Sequence, residues 1–271
     1  MSEEKKSIHG TWSSRWTFIL AATGSAVGLG NIWKFPYMVG DNGGGAFVLV
    51  YLACICIIGL PIMLGEIMIG RRGRSSPANS MKSLALEAST TSTWTLLGAM
   101  GALAGLLILS FYSVIAGWAL SYTFSGFQSI NEGNSQNIFE SFQGNHISLI
   151  FWHSLFISIT VFIVARGILE GLEKWINTLM PLLFLIIVLL CIYSMTTGAF
   201  FEGLTYLFTP DFSKINPKVM LEALGQAFFT LSLGMGAIMA YGAYMPANQN
   251  IGRTAVSVAA LDTGVALLAG M

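Results

Sequence analysis

Gly24-Ser25-Ala26-Val27-Gly28-Leu29-Gly30-Asn31 interrupts an apolar run that is otherwise long enough to cross a bilayer. Each glycine costs a helix interior about 1 kcal/mol relative to alanine. A membrane helix tolerates a loosened backbone only where it is buried in protein or lines a polar cavity. Two readings follow. The helix breaks at mid-membrane and offers freed carbonyls and amides to an ion or a zwitterion, or Gly24 and Gly28 form a GxxxG packing face. A second stretch, Phe228-Phe229-Thr230-Leu231-Ser232-Leu233-Gly234-Met235-Gly236, places two glycines and two hydroxyls inside another apolar run. Two Gly-interrupted membrane segments in corresponding places point to a transport site between inverted repeats rather than to two packing faces. Asp262, in a third apolar run, is a functional candidate as an intramembrane carboxylate, the alternative being a helix-end residue near the cytoplasm.

The elements that must position these residues are membrane helices. The chain is 54% hydrophobic and 10% charged, against about 25% charged in soluble domains. Uncharged stretches between Glu87 and Glu132 and between Lys174 and Glu202 exceed the roughly 20 residues a span requires. The pattern predicts seven spans at about 12–38, 43–70, 93–125, 147–166, 173–198, 219–245 and 255–271, punctuated by Pro36, Gly43-Gly44-Gly45, Gly171, Pro210 and Pro246. Ten basic residues fall on one side and Lys34, Lys214 and Lys218 on the other, which predicts a cytoplasmic N-terminus. The loop 126–146 reads as polar, and Phe208-Thr-Pro-Asp211 as a turn onto a short surface helix.

Composition also excludes. A net charge of zero says nothing about nucleic acid and argues against a basic, phosphate-binding role. Cys54, Cys56 and Cys191 lie in apolar runs and read as small hydrophobes rather than a disulfide framework. His146 and His153 have no ligand-spaced partner, so no metal enzyme is expected, and no nucleophile–base pair or phosphate loop is present. The N-terminus lacks the pattern of a cleaved signal peptide.

Taken in order, the motifs resemble the neurotransmitter:sodium symporters, whose bacterial members import amino acids. They are Gly-Ser-Ala-Val-Gly-Leu-Gly-Asn (24–31), Lys-Phe-Pro-Tyr (34–37), Asn-Gly-Gly-Gly-Ala-Phe (42–47), Gly171-x9-Pro181 and Phe-Thr-Leu-Ser-Leu-Gly (229–234). The resemblance implies an all-α polytopic membrane protein with the inverted-repeat, leucine-transporter-like fold, in which helices 1 and 6 are broken. About twelve spans are expected in full-length members. Seven are present here, so the chain is expected to be an N-terminal portion: a single transporter domain over 1–271, with a first repeat over 11–198 and the start of a second over 219–271.

The same resemblance implies residue roles. The substrate carboxylate would meet the amides of Leu29 and Gly30, a sodium ion and the Tyr112 hydroxyl. The ammonium would meet carbonyls of Ala26 and Phe229 and the side chains of Ser25, Thr230 or Ser232, with the substrate side chain among Val27, Ile108, Tyr112, Phe229 and Met235. Carriers of monoamines place an aspartate at the position of Gly28; a glycine there favours an amino acid, which brings its own carboxylate. A first sodium (Na+) would use Ala26, Asn31, Thr230 and Asp262, and a second Gly24 and Val27 with groups from span 8. Asp262 replaces the commoner asparagine; beside the chloride-lining positions Tyr51, Gln226 and Thr230, its charge would make chloride unnecessary. Gate positions are Lys34, Tyr112 and Phe229 outside and Trp12 and Tyr244 inside, with Lys34 and His9 standing where arginines are usual. Gly171 and Pro181 would form the hinge that unwinds span 5.

The expectation is therefore a sodium-coupled importer of hydrophobic or aromatic amino acids in a bacterial inner (plasma) membrane. Its partners would be a small amino acid and the lipid bilayer, with a homodimer as a possible assembly and no nucleic acid. The rival expectation is a half-transporter serving as a membrane binding subunit.

Overall fold

The computed structural model describes residues 12–125, 135–246 and 248–271; Lys5, Lys6, His9 and Glu132 lie outside them. Among the described residues the chain is helical almost throughout, with one isolated bridge between Gly44 and Pro210.

Span 1 is broken. Its first half is α1 (Arg15–Ala26), capped by the Ser14 hydroxyl on the Thr17 amide. Val27 then turns extended (φ −73°, ψ 118°), and the second half resumes as a π-turn (Gly30–Lys34) running into α2 (Phe35–Asp41). Span 2 comprises α3 (Gly45–Cys54), a π-turn (Ile55–Gly59) and α4 (Leu60–Gly73). A short amphipathic helix, α5 (Pro77–Glu87), follows on the side of Arg71, Arg72 and Arg74. Spans 3 to 5 are α6 (Thr95–Ser125), α8 (His146–Ala165) and α9 (Lys174–Ser194). Between spans 3 and 4, where the sequence reads as a polar loop, α7 (Ser135–Gly144) forms and packs Phe139 and Phe142 on Trp118 and Tyr122. The expected short surface helix stands before the Pro210 turn, as α10 (Phe200–Phe208), with only a 3-10 turn (Phe212–Lys214) after it.

Span 6 is broken as well. It runs as α11 (Pro217–Thr230), loses helical form over 231–236 and resumes as α12 (Ala237–Gly242). Three residues in this break have left-handed backbone: Ser232 (φ 54°), Gly234 (φ 80°) and Gly236 (φ 75°). Glycine takes that conformation without steric cost, so the two glycines explain where the chain turns. Span 7 is α13 (Ile251–Ala269), begun four residues before the apolar run because Asn250 caps the Arg253 amide. Among the described residues five helices are long and apolar enough to cross a membrane, and the two broken spans are not among them.

The main core joins spans 1, 2, 6 and 7 through Phe18, Phe35, Phe47, Tyr51, Ile67, Leu231, Ile238 and Val258. The tightest seam lies between α4 and α12. A Cβ on Gly70 would stand 2.0 Å from the Met239 carbonyl oxygen, and one on Gly242 would stand 2.9 Å from that of Ile67. Only glycine permits both approaches. Arg74 closes the end of the seam by donating to the Ala243 and Met245 carbonyls. Spans 3 and 4 pack on each other outside this core and expose Leu106, Leu107, Ile150 and Phe151. Such apolar faces suit a hydrocarbon solvent.

Candidate functional site

The two breaks lie against each other. The Ser232 hydroxyl donates to the Ser25 carbonyl at 2.8 Å, joining the loosened segments of spans 1 and 6 directly. The break in span 1 is held open by side chains. In an unbroken helix the Gly28 and Leu29 amides would donate to the carbonyls of Gly24 and Ser25. Here the Gly28 amide donates to Asn31 Oδ1 (3.1 Å) and the Leu29 amide to the Tyr112 hydroxyl (3.4 Å). The Asn31 amide likewise turns to the Gly28 carbonyl instead of that of Val27. The carbonyls of Gly24 and Val27 thus lose their helical donors. Both are groups that the family resemblance implies for the second sodium.

Behind the break, a hydrogen-bonded cluster joins spans 1, 6 and 7. Asn31 Nδ2 donates to Asp262 Oδ1 (2.8 Å), to the Asp262 carbonyl (3.1 Å) and to Thr230 Oγ1 (2.9 Å). Thr230 Oγ1 in turn donates to the Asp262 carboxyl, lying 2.9 Å from Oδ2 and 3.0 Å from Oδ1. Asn31 and Asp262 are fully buried and Thr230 nearly so, and Asp262 stands mid-helix in α13, away from either helix end. The donors to its side chain are neutral. An isolated buried carboxylate costs several kcal/mol unless paired, so the cluster suits a hard cation bound by oxygen ligands. Gln226 Nε2 donates to the Gly30 carbonyl (2.9 Å), while Gln226 Oε1 is buried without a hydrogen-bond partner among the described residues.

In front of the break is a cavity of about 220 Å³ lined by Ser25, Ala26, Gly30, Ile108, Tyr112, Phe229, Ser232 and Met235 from the expected substrate set, and by Gly28, Gly105 and Leu109 in addition. One wall is backbone and hydroxyl; the other is aliphatic and aromatic. Three expected residues stand elsewhere. Val27 turns away from the cavity and packs with Met180, Ile187 and Val265. Thr230 faces Asn31 and Asp262, and Leu29 lines a second cavity of about 340 Å³ with Trp33, Lys34, Tyr37 and Phe111. Tyr112 and Phe229 border both cavities, so they form the wall between them. Lys34 Nζ lies over the Phe229 ring, 4.7 Å from its centroid.

On the opposite side Trp12 is buried, donates from Nε1 to the Tyr241 carbonyl and from its amide to that of Tyr244, and packs on both rings. Gly171 sits in the π-turn (Ile168–Glu173) that leads into α9, and Pro181 lies inside α9. One contributor was not anticipated. Glu66 of α4, largely buried, accepts from the Gly234 amide at 2.7 Å and so holds the break in span 6. An acidic residue within the apolar run 60–70 is the signal that marks it.

The sequence profile of the Sodium:neurotransmitter symporter family matches residues 9–140 and 134–271. The sodium-dependent transporter YhdH of Bacillus subtilis is 41% identical over all of this chain and 59% of its own length. The sodium-dependent transporter MJ1319 of Methanocaldococcus jannaschii is 37% identical over 96% of this chain and 54% of its own. Sodium-dependent neutral amino acid transporter B(0)AT2 of Bos taurus is 26% identical over 98% of this chain and 40% of its own. The crystal structure of MhsT in complex with L-phenylalanine superposes with a TM-score of 0.88 at 49% identity, covering 96% of this chain and 59% of that one. The chain thus spans little more than half the length of the relatives it matches most fully, and it shares their inverted-repeat, leucine-transporter-like fold. It belongs to the sodium:neurotransmitter symporter family of multi-pass membrane transporters.

Proposed function

We propose that this chain carries the binding half of a sodium-coupled symporter that imports hydrophobic or aromatic amino acids by alternating access. The observation that supports it is the 220 Å³ cavity bounded by both helix breaks, with the buried Asn31–Thr230–Asp262 cluster at its back. A zwitterion in that cavity meets backbone amides at the start of the second half of span 1, where the helix dipole favours a carboxylate. Its ammonium meets the carbonyls of Ala26 and Phe229 and the hydroxyls of Ser25 and Ser232, and its side chain the wall of Ile108, Phe229 and Met235. Met235 is unbranched and adaptable, which suits leucine, methionine, phenylalanine or tryptophan. The bound phenylalanine of MhsT and the neutral amino acids named for the mammalian relatives agree in class.

Sodium is cargo in this reading. The first ion takes oxygens of Ala26, Asn31, Thr230 and Asp262 together with the substrate carboxylate, and the second those of Gly24 and Val27. Because the first ion and the substrate share that carboxylate, each raises the other's affinity by the same factor. An inward potential of 100 mV adds roughly 2.3 kcal/mol per ion. Asp262 supplies the negative charge beside Tyr51, Gln226 and Thr230, so chloride is not required. The spans form two repeats, 11–198 and from 219 onward, in a bacterial inner membrane with the N-terminus in the cytoplasm.

The test is uptake of labelled phenylalanine into proteoliposomes containing the full gene product, under an inward sodium gradient with chloride replaced by gluconate. Accumulation above the external concentration is expected. Saturable binding without accumulation would instead mean a binding subunit.

A further inference from the structure

Span 5 and the π-turn that precedes it pack along span 1, from Ser13 just before α1 to Gly24 near its end. At the lower end Glu173 accepts hydrogen bonds from the amide and hydroxyl of Ser13, the neighbour of the gate residue Trp12. At the upper end Met180 lies against Gly24. A Cβ on Gly24 would stand 2.9 Å from Met180 Sδ and 3.3 Å from Cγ, so the glycine is the space into which the thioether fits. Met180 is buried and belongs to a small apolar cluster with Val27, Ile187 and Val265, separate from the main core. Its position is therefore unusual. One side chain of span 5 packs on both residues, Gly24 and Val27, whose carbonyls are freed by the break in span 1. It also immediately precedes Pro181 and lies nine residues after Gly171, between the two hinge positions of its own helix.

Resting on the reading of Gly24 and Val27 as sodium ligands, we propose that Met180 is a positioning residue for sodium, a movable seal that keeps water off those two carbonyls while span 5 is wound. The thioether suits the task. It is long enough to cross from α9 to the break, unbranched enough to withdraw when α9 bends, and apolar enough to exclude water while seated. A hydrophobic shell of this kind sets solvent access to an ion without touching it. Bending α9 between Gly171 and Pro181 would carry Met180 away from Gly24, and the Glu173–Ser13 contact would part with it. Release of the ion and loosening of the inner gate would then share one cause.

The experiment compares wild type, Met180→Ala, Met180→Leu and Met180→Gln in proteoliposomes, measuring half-saturation for sodium and for phenylalanine separately. Sodium efflux in the absence of amino acid is measured alongside. Met180→Ala is expected to raise the sodium concentration for half-maximal uptake about tenfold and to add a sodium leak. Half-saturation for phenylalanine at saturating sodium should stay within about twofold of wild type, since Met180 does not line the substrate cavity. Met180→Leu should recover most of the sodium affinity, whereas Met180→Gln, similar in length but polar at its tip, should not. Met180→Gln also keeps the test decisive if the alanine variant does not reach the membrane. Wild-type sodium dependence in both Met180→Gln and Met180→Ala, or equal weakening for sodium and phenylalanine, would overturn the seal and leave the symport reading intact. Sodium-independent uptake by the wild type would overturn both.

Discussion

Asp262 accepts from Asn31 and Thr230 at once, and so holds side chains from spans 1, 6 and 7 in one place. Replacing it with asparagine keeps the shape and removes the charge. Uptake by Asp262→Asn in gluconate is expected to fall at least about tenfold, a loss of roughly 1.4 kcal/mol. Added chloride should restore part of it, which paired uptake assays with and without chloride will show. Gly28 makes the opposite demand, because it must stay small. A Cβ there would stand 2.5 Å from the Tyr112 hydroxyl, itself the acceptor for the Leu29 amide. Overpacking of this kind costs about 1–3 kcal/mol. Gly28→Ala should therefore weaken phenylalanine binding by about tenfold or more, and Tyr112→Phe in the same chain, which removes the clash together with the hydroxyl offered to the substrate carboxylate, should not restore it. Calorimetric titration of the purified variants checks both.

At the scale of elements, the glycines announce the breaks but not what holds them. The Gly24, Gly28 and Gly30 spacing and the Gly234–Gly236 pair mark where spans 1 and 6 lose helical form. That Val27 faces Met180 rather than the cavity lined by Ser25 and Met235 is not legible in a motif, because extended backbone at one residue turns its side chain to the other face. Helices α5 and α7 were missed for a different reason. They are 11 and 10 residues long, too short and too polar to carry the signal of a membrane span. Glu66 was legible in principle but overshadowed by the Arg71-Arg72 end of the same helix. Removing its carboxylate leaves the Gly234 amide without its acceptor, at a cost of about 1–3 kcal/mol. Glu66→Ala should speed hydrogen exchange at Gly234 while leaving α6 and α8 protected; Glu66→Gln, which keeps an oxygen, should exchange more slowly than Glu66→Ala.

The turn between α10 and α11 offers a pH readout at the same scale. Hydrogen bonds from the hydroxyl and amide of Ser213 hold the Asp211 carboxyl below its ordinary value of 3.8. A carboxyl depressed on folding contributes stability above its unfolded value, and that contribution is lost as pH falls through the folded one. Exchange at the Ser213 amide should thus be steady from neutral pH to about 4 once corrected for intrinsic rates, then rise as the pH falls further. Asp211→Ala should abolish that step.

For the whole molecule, spans 1, 2, 6 and 7 form the packed unit, and spans 3 and 4 lean outside it. Tyr112 and Phe229 border both cavities, while the opposite side of the broken spans is closed by Trp12. Truncating Trp12 removes a fully packed aromatic side chain, typically a loss of about 3–5 kcal/mol. If alternating access operates, that loss falls on the outward-facing state. Trp12→Ala is then expected to raise cytoplasmic labelling of a cysteine placed at Ser25 while slowing net uptake. Unchanged labelling would mean that Trp12 is packing and not a gate.

The two glycines between α4 and α12 carry a consequence of another kind. Each faces the other helix's backbone, so at these two crossings no side chain stands between the helices to change rotamer and let them slide. A hinge needs such slack. Any rocking of the transport core must therefore carry the inner halves of spans 2 and 6 as one lever, with its bend displaced to the loosened residues 231–236. Spin labels on Met68 and Tyr241 should keep one distance through the cycle, whereas a label on Met220 should move relative to both.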